Sequence, residues 1–199
     1  MQLHRGDVVD RATQLLDDYG IADLTMRRLA KELNVTPGAL YWHFANKQQL
    51  LGAVADRILE SASPAASESA WPERVRSTCS AMRDALLSFT DGAELVSSSF
   101  ASGQTQRLAE VLGWLTSSAV EAGMSPANAD LTARTLIYYV LGFTADEQSR
   151  LQWDAAGALD DDQSVFATNP NGRFAFGLQL LIDGIGAHPE ASNLSLIHI

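Results

Sequence analysis

Apolar residues recur at three- and four-residue intervals along almost the whole chain. No stretch alternates apolar and polar residues for the length of a useful strand. A period near 3.6 residues is that of a helix with one buried face, so the pattern predicts an all-α fold. Val8, Ala12, Leu15, Leu16 and Tyr19 share one face, and Gly20 offers a left-handed stop, giving a first helix over about 5–19. Thr25 is an N-cap for a short helix over about 26–33, and Asn34 suits the left-handed position after it. Thr36-Pro37 reads as cap and first helical residue of a brief helix over about 37–43, where proline's missing N–H is not needed. Asn46 with Gln49 resembles a capping box. The helix it starts carries Leu50, Leu51, Val54, Ile58 and Leu59 to about 61.

The stretch SASPAASESA, 61–70, is small and polar and reads as a linker or loop. Beyond it, the same spacing predicts helices over about 72–90, 93–101, 104–122, 126–150 and 173–187, with a loop over 154–172. The chain therefore divides into a helix-turn-helix domain over 1–47, a connecting helix to about 62, and a larger helical domain over 63–190. Residues 191–199, ending in the unpatterned LSLIHI, read as a disordered or non-native tail.

Composition excludes several classes. With 46% hydrophobic and 19% charged residues the chain is globular rather than disordered. No apolar run approaches the ~20 residues of a membrane span, and the N-terminus lacks a signal core. The single Cys79 rules out an internal disulfide framework and a cysteine-cluster zinc site, and a reducing cytoplasm is the simplest home. The histidines His4, His43, His188 and His198 are scattered, and Asp160-Asp161-Asp162 lacks calcium-loop spacing. No metal and no cofactor is expected.

A net charge of −10 argues against nucleic acid only when averaged over the chain. Residues 1–60 hold 7 Lys and Arg against 8 Asp and Glu, whereas 61–199 hold 7 against 16. Within 25–47, Arg27, Arg28, Lys31 and Lys47 face only Glu32, a local +3. The local field is what a phosphate backbone meets.

Residues 24–47 read LTMRRLAKELNVTPGALYWHFANK, a helix, a tight turn and a helix. Leu29, Ala30, Leu33, Val35, Leu40 and Phe44 can share a small core with the first helix. That leaves Thr36, Pro37, Gly38, Ala39, Tyr41, Trp42 and His43 on an exposed short helix whose small N-terminal residues suit a major groove. Arg27 and Arg28 lie at a helix start, where positive charge opposes the dipole and an anionic partner would relieve the cost. The bland alternative is a three-helix bundle with a solvated basic face.

The stretch GIADLTMRRLAKELNVTPGALYWHFANKQQLL, 20–51, closely resembles the DNA-binding domain of the TetR family of bacterial transcriptional regulators. DALLSFTDGAEL (84–95), LIYYVLGFTADEQ (136–148) and FAFGLQLLIDGI (174–185) resemble the C-terminal domain of its tetracycline repressor subgroup. The resemblance implies a ligand-responsive repressor, released from a palindromic DNA operator by a small molecule. It also implies a homodimer, built largely from the 126–150 and 173–187 helices. The alternative is a helical enzyme or ligand-binding protein without DNA binding.

Carried over by motif, Arg27 reads a base, and Thr36, Pro37, Gly38 and Ala39 face bases. Tyr41, Trp42, His43 and Lys47 match phosphate-contacting or register-setting positions, and Thr25 and Arg28 complete the expected DNA-binding set. In the subgroup a histidine, a threonine and a glutamate arrange a magnesium-bound drug. Those positions hold Val96, Ser99 and Asp146 here, and two further drug-contacting positions hold Thr78 and Met82. With the chelating histidine gone, the expected pocket is apolar and aromatic, adding Leu86, Phe89, Phe100, Trp114, Tyr138 and Phe143. The last predicted helix is apolar on more than one side, so Phe174, Gly177, Leu178 and Leu181, with Leu136 and Tyr139, are the expected dimer contacts.

Overall fold

The computed structural model describes residues 3–62, 69–160, 164 and 169–187. Much of the 61–70 stretch, parts of the 154–172 loop, His188, His198 and the 191–199 tail lie outside them. Among the described residues every regular element is helical. The order is α1 (Arg5–Tyr19), α2 (Met26–Glu32), α3 (Pro37–Tyr41) and α4 (Lys47–Ile58), with a tighter turn over Leu59–Ser61. Then come α5 (Trp71–Leu87), α6 (Gly92–Ala101), α7 (Gln106–Glu121), α8 (Pro126–Ala155) and α9 (Pro170–Ala187).

The local signals act as the residue chemistry requires. Thr25, Asn46 and Ser125 each accept a hydrogen bond from the backbone N–H three residues on, which satisfies one orphan donor of the helix they open. The Gln49 side chain reaches back one residue beyond the cap, accepting from Ala45 N–H at 3.0 Å rather than from Asn46 N–H as a strict capping box would. Asn34 takes the left-handed conformation, φ 53°, and turns the chain between α2 and α3. Several expected bounds shift: α5 stops at Leu87 rather than 90, α4 gives way to the tighter turn after Ile58, and α9 starts at Pro170 rather than 173. Helix α3 stops at Tyr41 rather than 43, and α8 runs on to Ala155. The extra turn and a half of α8 follows from the polar face of 144–152, where Glu147 and Gln148 turn inward and are bonded.

Helices α1–α3 pack as a small head on the start of α4, and α5–α9 form the body, with the long α8 lying against α5, α6, α7 and α9. The apolar core is continuous from Val8 and Leu16 through Leu50, Val54 and Ile58 of α4 to Leu136, Val140 and Leu178 in the body. Helix α4 thus belongs to both. Its Asp56 accepts the Arg107 N–H at 2.8 Å, capping the start of α7. Burial pushes the Asp56 carboxyl up from its ordinary value, and the backbone N–H bonds work against that.

Candidate nucleic-acid interface

The head presents one surface built from α2, the Asn34 turn and α3. Leu24, Leu29, Ala30, Leu40 and Phe44 are buried beneath it, and Leu33 and Val35 are half-buried against the same core. The chain reverses within the turn through Val35 N–H donating to the Ala30 carbonyl at 2.9 Å. Above this support Thr36, Pro37, Gly38 and Tyr41 are exposed, Ala39 and His43 are half-buried, and Trp42 is 90% exposed. A tryptophan gains most by burial, and no neighbour among the described residues supplies it here. The side chain is placed for contact outside the chain.

Gly38 sharpens that reading. A Cβ there would meet only Thr36 Oγ1, at 3.9 Å, so neither packing nor backbone requires a glycine. Glycine inside a helix costs about 1 kcal/mol against alanine. The glycine leaves the surface of α3 bare at that position. The start of α3 therefore carries no side-chain donor between Thr36 and Tyr41.

The two arginines of α2 separate. Arg28 forms an ion pair with Asp23 and lies over the Tyr19 ring at 3.8 Å. Its anionic partner is thus within the chain. Arg27 is exposed and has no ion pair among the described residues. Lys47 is half-buried in the first turn of α4, and Arg5 lies over the Phe44 ring at 4.6 Å. Thr25 uses its hydroxyl as the α2 cap, accepting from Arg28 N–H at 3.1 Å.

In the body, the expected ligand residues do not all meet. Thr78, Met82, Leu86, Val96 and Ser99 are buried, and Phe89, Phe100, Trp114 and Phe143 are half-buried against the apolar core. Tyr138 is exposed, with its ring 6.1 Å from Phe100, and Asp146 is exposed beside Arg150. Those two point away from the buried set, because positions 138 and 146 fall off the inward series of α8. The Ser99 hydroxyl is buried and has no hydrogen-bond partner among the described residues. Cys79 is buried, and burial pushes its thiol up to about 12, so it is a small core residue rather than a nucleophile.

The group that sequence reasoning missed is Glu147. It lies 6% exposed and takes both Nε and Nη2 of Arg83, at 2.9 and 2.7 Å. Arg83 also donates to Asn171 Oδ1 at 2.9 Å and lies over the Phe174 ring at 5.0 Å, tying α5 and α8 to the start of α9. The signal was present: Ala133, Ile137, Val140, Thr144, Glu147 and Gln148 continue one inward series. Burial of so many polar hydrogen-bonding groups at its end is what the apolar count alone did not show.

The residues expected at the dimer contact face largely into the protomer. Leu136, Phe174 and Leu178 are buried inside the protomer, and Tyr139, Gly177 and Leu181 are half-buried there. Tyr139 donates to the Phe174 carbonyl at 2.8 Å, and a Cβ on Gly177 would stand 2.3 Å from its hydroxyl. The large apolar side chains that α8 and α9 leave outside are Leu131, Tyr138, Leu151, Trp153, Phe176 and Leu180, of which Leu131 and Tyr138 share one face of α8 and Phe176 and Leu180 one face of α9.

Known proteins place this geometry. Residues 8–54 match the model of the bacterial regulatory proteins of the tetR family, and 63–164 match the tetracyclin repressor-like C-terminal domain. The fold resembles the crystal structure of Mycobacterium smegmatis BioQ, at 62% identity and TM-score 0.88, covering 94% of this chain and 99% of that one. It also resembles BioQ crystallised with its natural double-stranded DNA operator, at 58% identity and TM-score 0.79, covering 94% and 100%. The class E tetracycline repressor protein of Escherichia coli is 31% identical over 94% of this chain and 92% of its own. Head and body each match their counterpart, in order and nearly end to end, so the chain belongs to the TetR family of DNA-binding transcriptional regulators.

Proposed function

We propose that the chain is a repressor that binds a palindromic operator as a homodimer and is released by a small apolar or aromatic molecule held in the body. The observation that carries the reading is the outward Trp42 and Tyr41 beside the unpaired Arg27 and the bare Thr36–Ala39 helix start. Arginine gives the bidentate guanine contact, while Pro37 and Ala39 offer apolar contact to a thymine methyl. The operator complex of the similar BioQ supports the same assignment. Leu131, Tyr138, Phe176 and Leu180 supply the apolar face for the second protomer.

For the ligand, the buried Met82, Leu86 and Val96 make an apolar environment, and the unpartnered Ser99 hydroxyl is its polar anchor. Thr78, buried on the facing helix, is a second anchor, whereas Asp146 serves no such role from its exposed position.

The test is selection of the protein's own target from a random duplex pool, followed by footprinting. The expected result is a palindrome whose half-sites lie roughly one helical turn, ~34–36 Å, apart. Failure to enrich any duplex would overturn the reading. Tetracycline should act identically with and without magnesium, and magnesium-dependent release at micromolar drug would contradict the apolar pocket around Val96.

A further inference from the structure

The head rests on the body at two separated places. One is the α4 side, where a Cβ on Gly52 would stand 2.2 Å from the Gln104 carbonyl oxygen and Asp56 caps α7. The other is the turn between α5 and α6. There Asp91 holds a left-handed backbone, φ 55° and ψ 21°, where glycine is the usual residue. Its two carboxylate oxygens are both used. Oδ2 accepts Ile21 N–H of the head at 2.9 Å, and Oδ1 accepts Nε2 of Gln152 on α8 at 2.7 Å. The adjacent Thr90 N–H donates to Asp17 of α1 at 3.1 Å.

We propose that Asp91 is a positioning residue for operator binding: a two-sided carboxylate latch that fixes the angle of the reading head on α8. The inference rests on the operator-binding reading above. Three observations carry it. A non-glycine residue in the left-handed region is retained at a cost, and its side chain spans head and body. The head makes room for it, since a Cβ on Gly20 would lie 2.6 Å from Asp91 Oδ2. The body holds the turn rigid: Gln148 accepts Ala93 N–H at 3.0 Å and donates to the Leu86 and Phe89 carbonyls at 3.0 and 2.7 Å. The latch is therefore anchored on α8, the helix that also carries the outward Leu131 and Tyr138, and the head angle is tied to the dimer frame.

Two recognition helices held at a fixed angle accept one half-site spacing, and a loosened head accepts several. The experiment uses the full chain and the duplex it selects. Affinity is measured for that duplex and for one with a single base pair inserted between half-sites. Asp91→Gly keeps the left-handed backbone and removes both bonds. It should bind the native duplex roughly five- to twentyfold more weakly, and the wild-type penalty for the inserted base pair should largely vanish. Asp91→Asn keeps an acceptor for Ile21 N–H and can donate to a turned Gln152 amide, so it should restore the wild-type spacing preference. Gln152→Ala alters only an exposed side chain, leaves folding intact, and should give an intermediate preference. An unchanged spacing ratio in Asp91→Gly, whatever its native affinity, or in Gln152→Ala, would overturn the latch. A wild type that selects no duplex would overturn the operator reading instead, and the latch with it.

Discussion

The head leaves its tryptophan, Trp42, in solvent, whereas the body withdraws an arginine and a glutamate from it. Each goes against the usual preference of the residue, and each for a different reason. Exposure in the head accords with the proposed partner outside the chain. Burial in the body makes sense within it, because Arg83 and Glu147 satisfy each other and Asn171 takes a remaining donor. The head gives up stability for recognition, and the body fixes a unique arrangement of α5, α8 and α9.

The comparison can be broken most severely in the body. Glu147→Ala leaves the Arg83 guanidinium buried without its bidentate partner, and should lower stability by about 3–5 kcal/mol in urea unfolding. A joint Arg83→Met and Glu147→Leu replacement should recover most of that loss. If the single change costs no more than a surface substitution, the pair is not the clamp described. In the head the largest effect falls on binding rather than stability. Arg27→Ala should cost about 1–3 kcal/mol of discrimination at one base pair per half-site, with unfolding unchanged. Equal binding to operator and mutated operator at wild-type strength would remove Arg27 from its role.

Gly38→Ala sharpens the contrast. It should stabilise the head by about 0.5–1 kcal/mol, since the site has open space, while weakening operator binding. A gain in both would show that α3 does not approach DNA closely there. The smallest effect belongs to Lys47→Ala. All duplexes should weaken alike, with a salt slope lower by about 1 in a log–log titration. A loss confined to one sequence would make Lys47 a base reader.

The head was almost fully legible in the sequence because its signals are local. Caps at Thr25 and Asn46, the left-handed Asn34 and the Pro37 start each act within four residues. Arg28 is the exception, since its pairing with Asp23 and Tyr19 depends on how α1 meets the turn before α2. In the body the helices were legible, with ends shifted, but the facing was not. Leu178 and Leu180 are equally apolar, and only the packing of α9 on α5 and α8 sends the first inward and the second outward. Glu147 was hidden for the same reason: its partner lies 64 residues away.

In the proposed assembly one protomer reads one half-site, and the outward face of α8 and α9 joins two protomers into the reading unit. Sedimentation velocity of the chain on its selected duplex tests it directly, beside Leu180→Glu, which charges that face without touching the buried Leu178. The account predicts two wild-type protomers on each duplex, and a folded Leu180→Glu monomer that no longer holds the operator at the same concentration. A single wild-type protomer bound with full affinity, or a Leu180→Glu chain that still sediments as two, would contradict it.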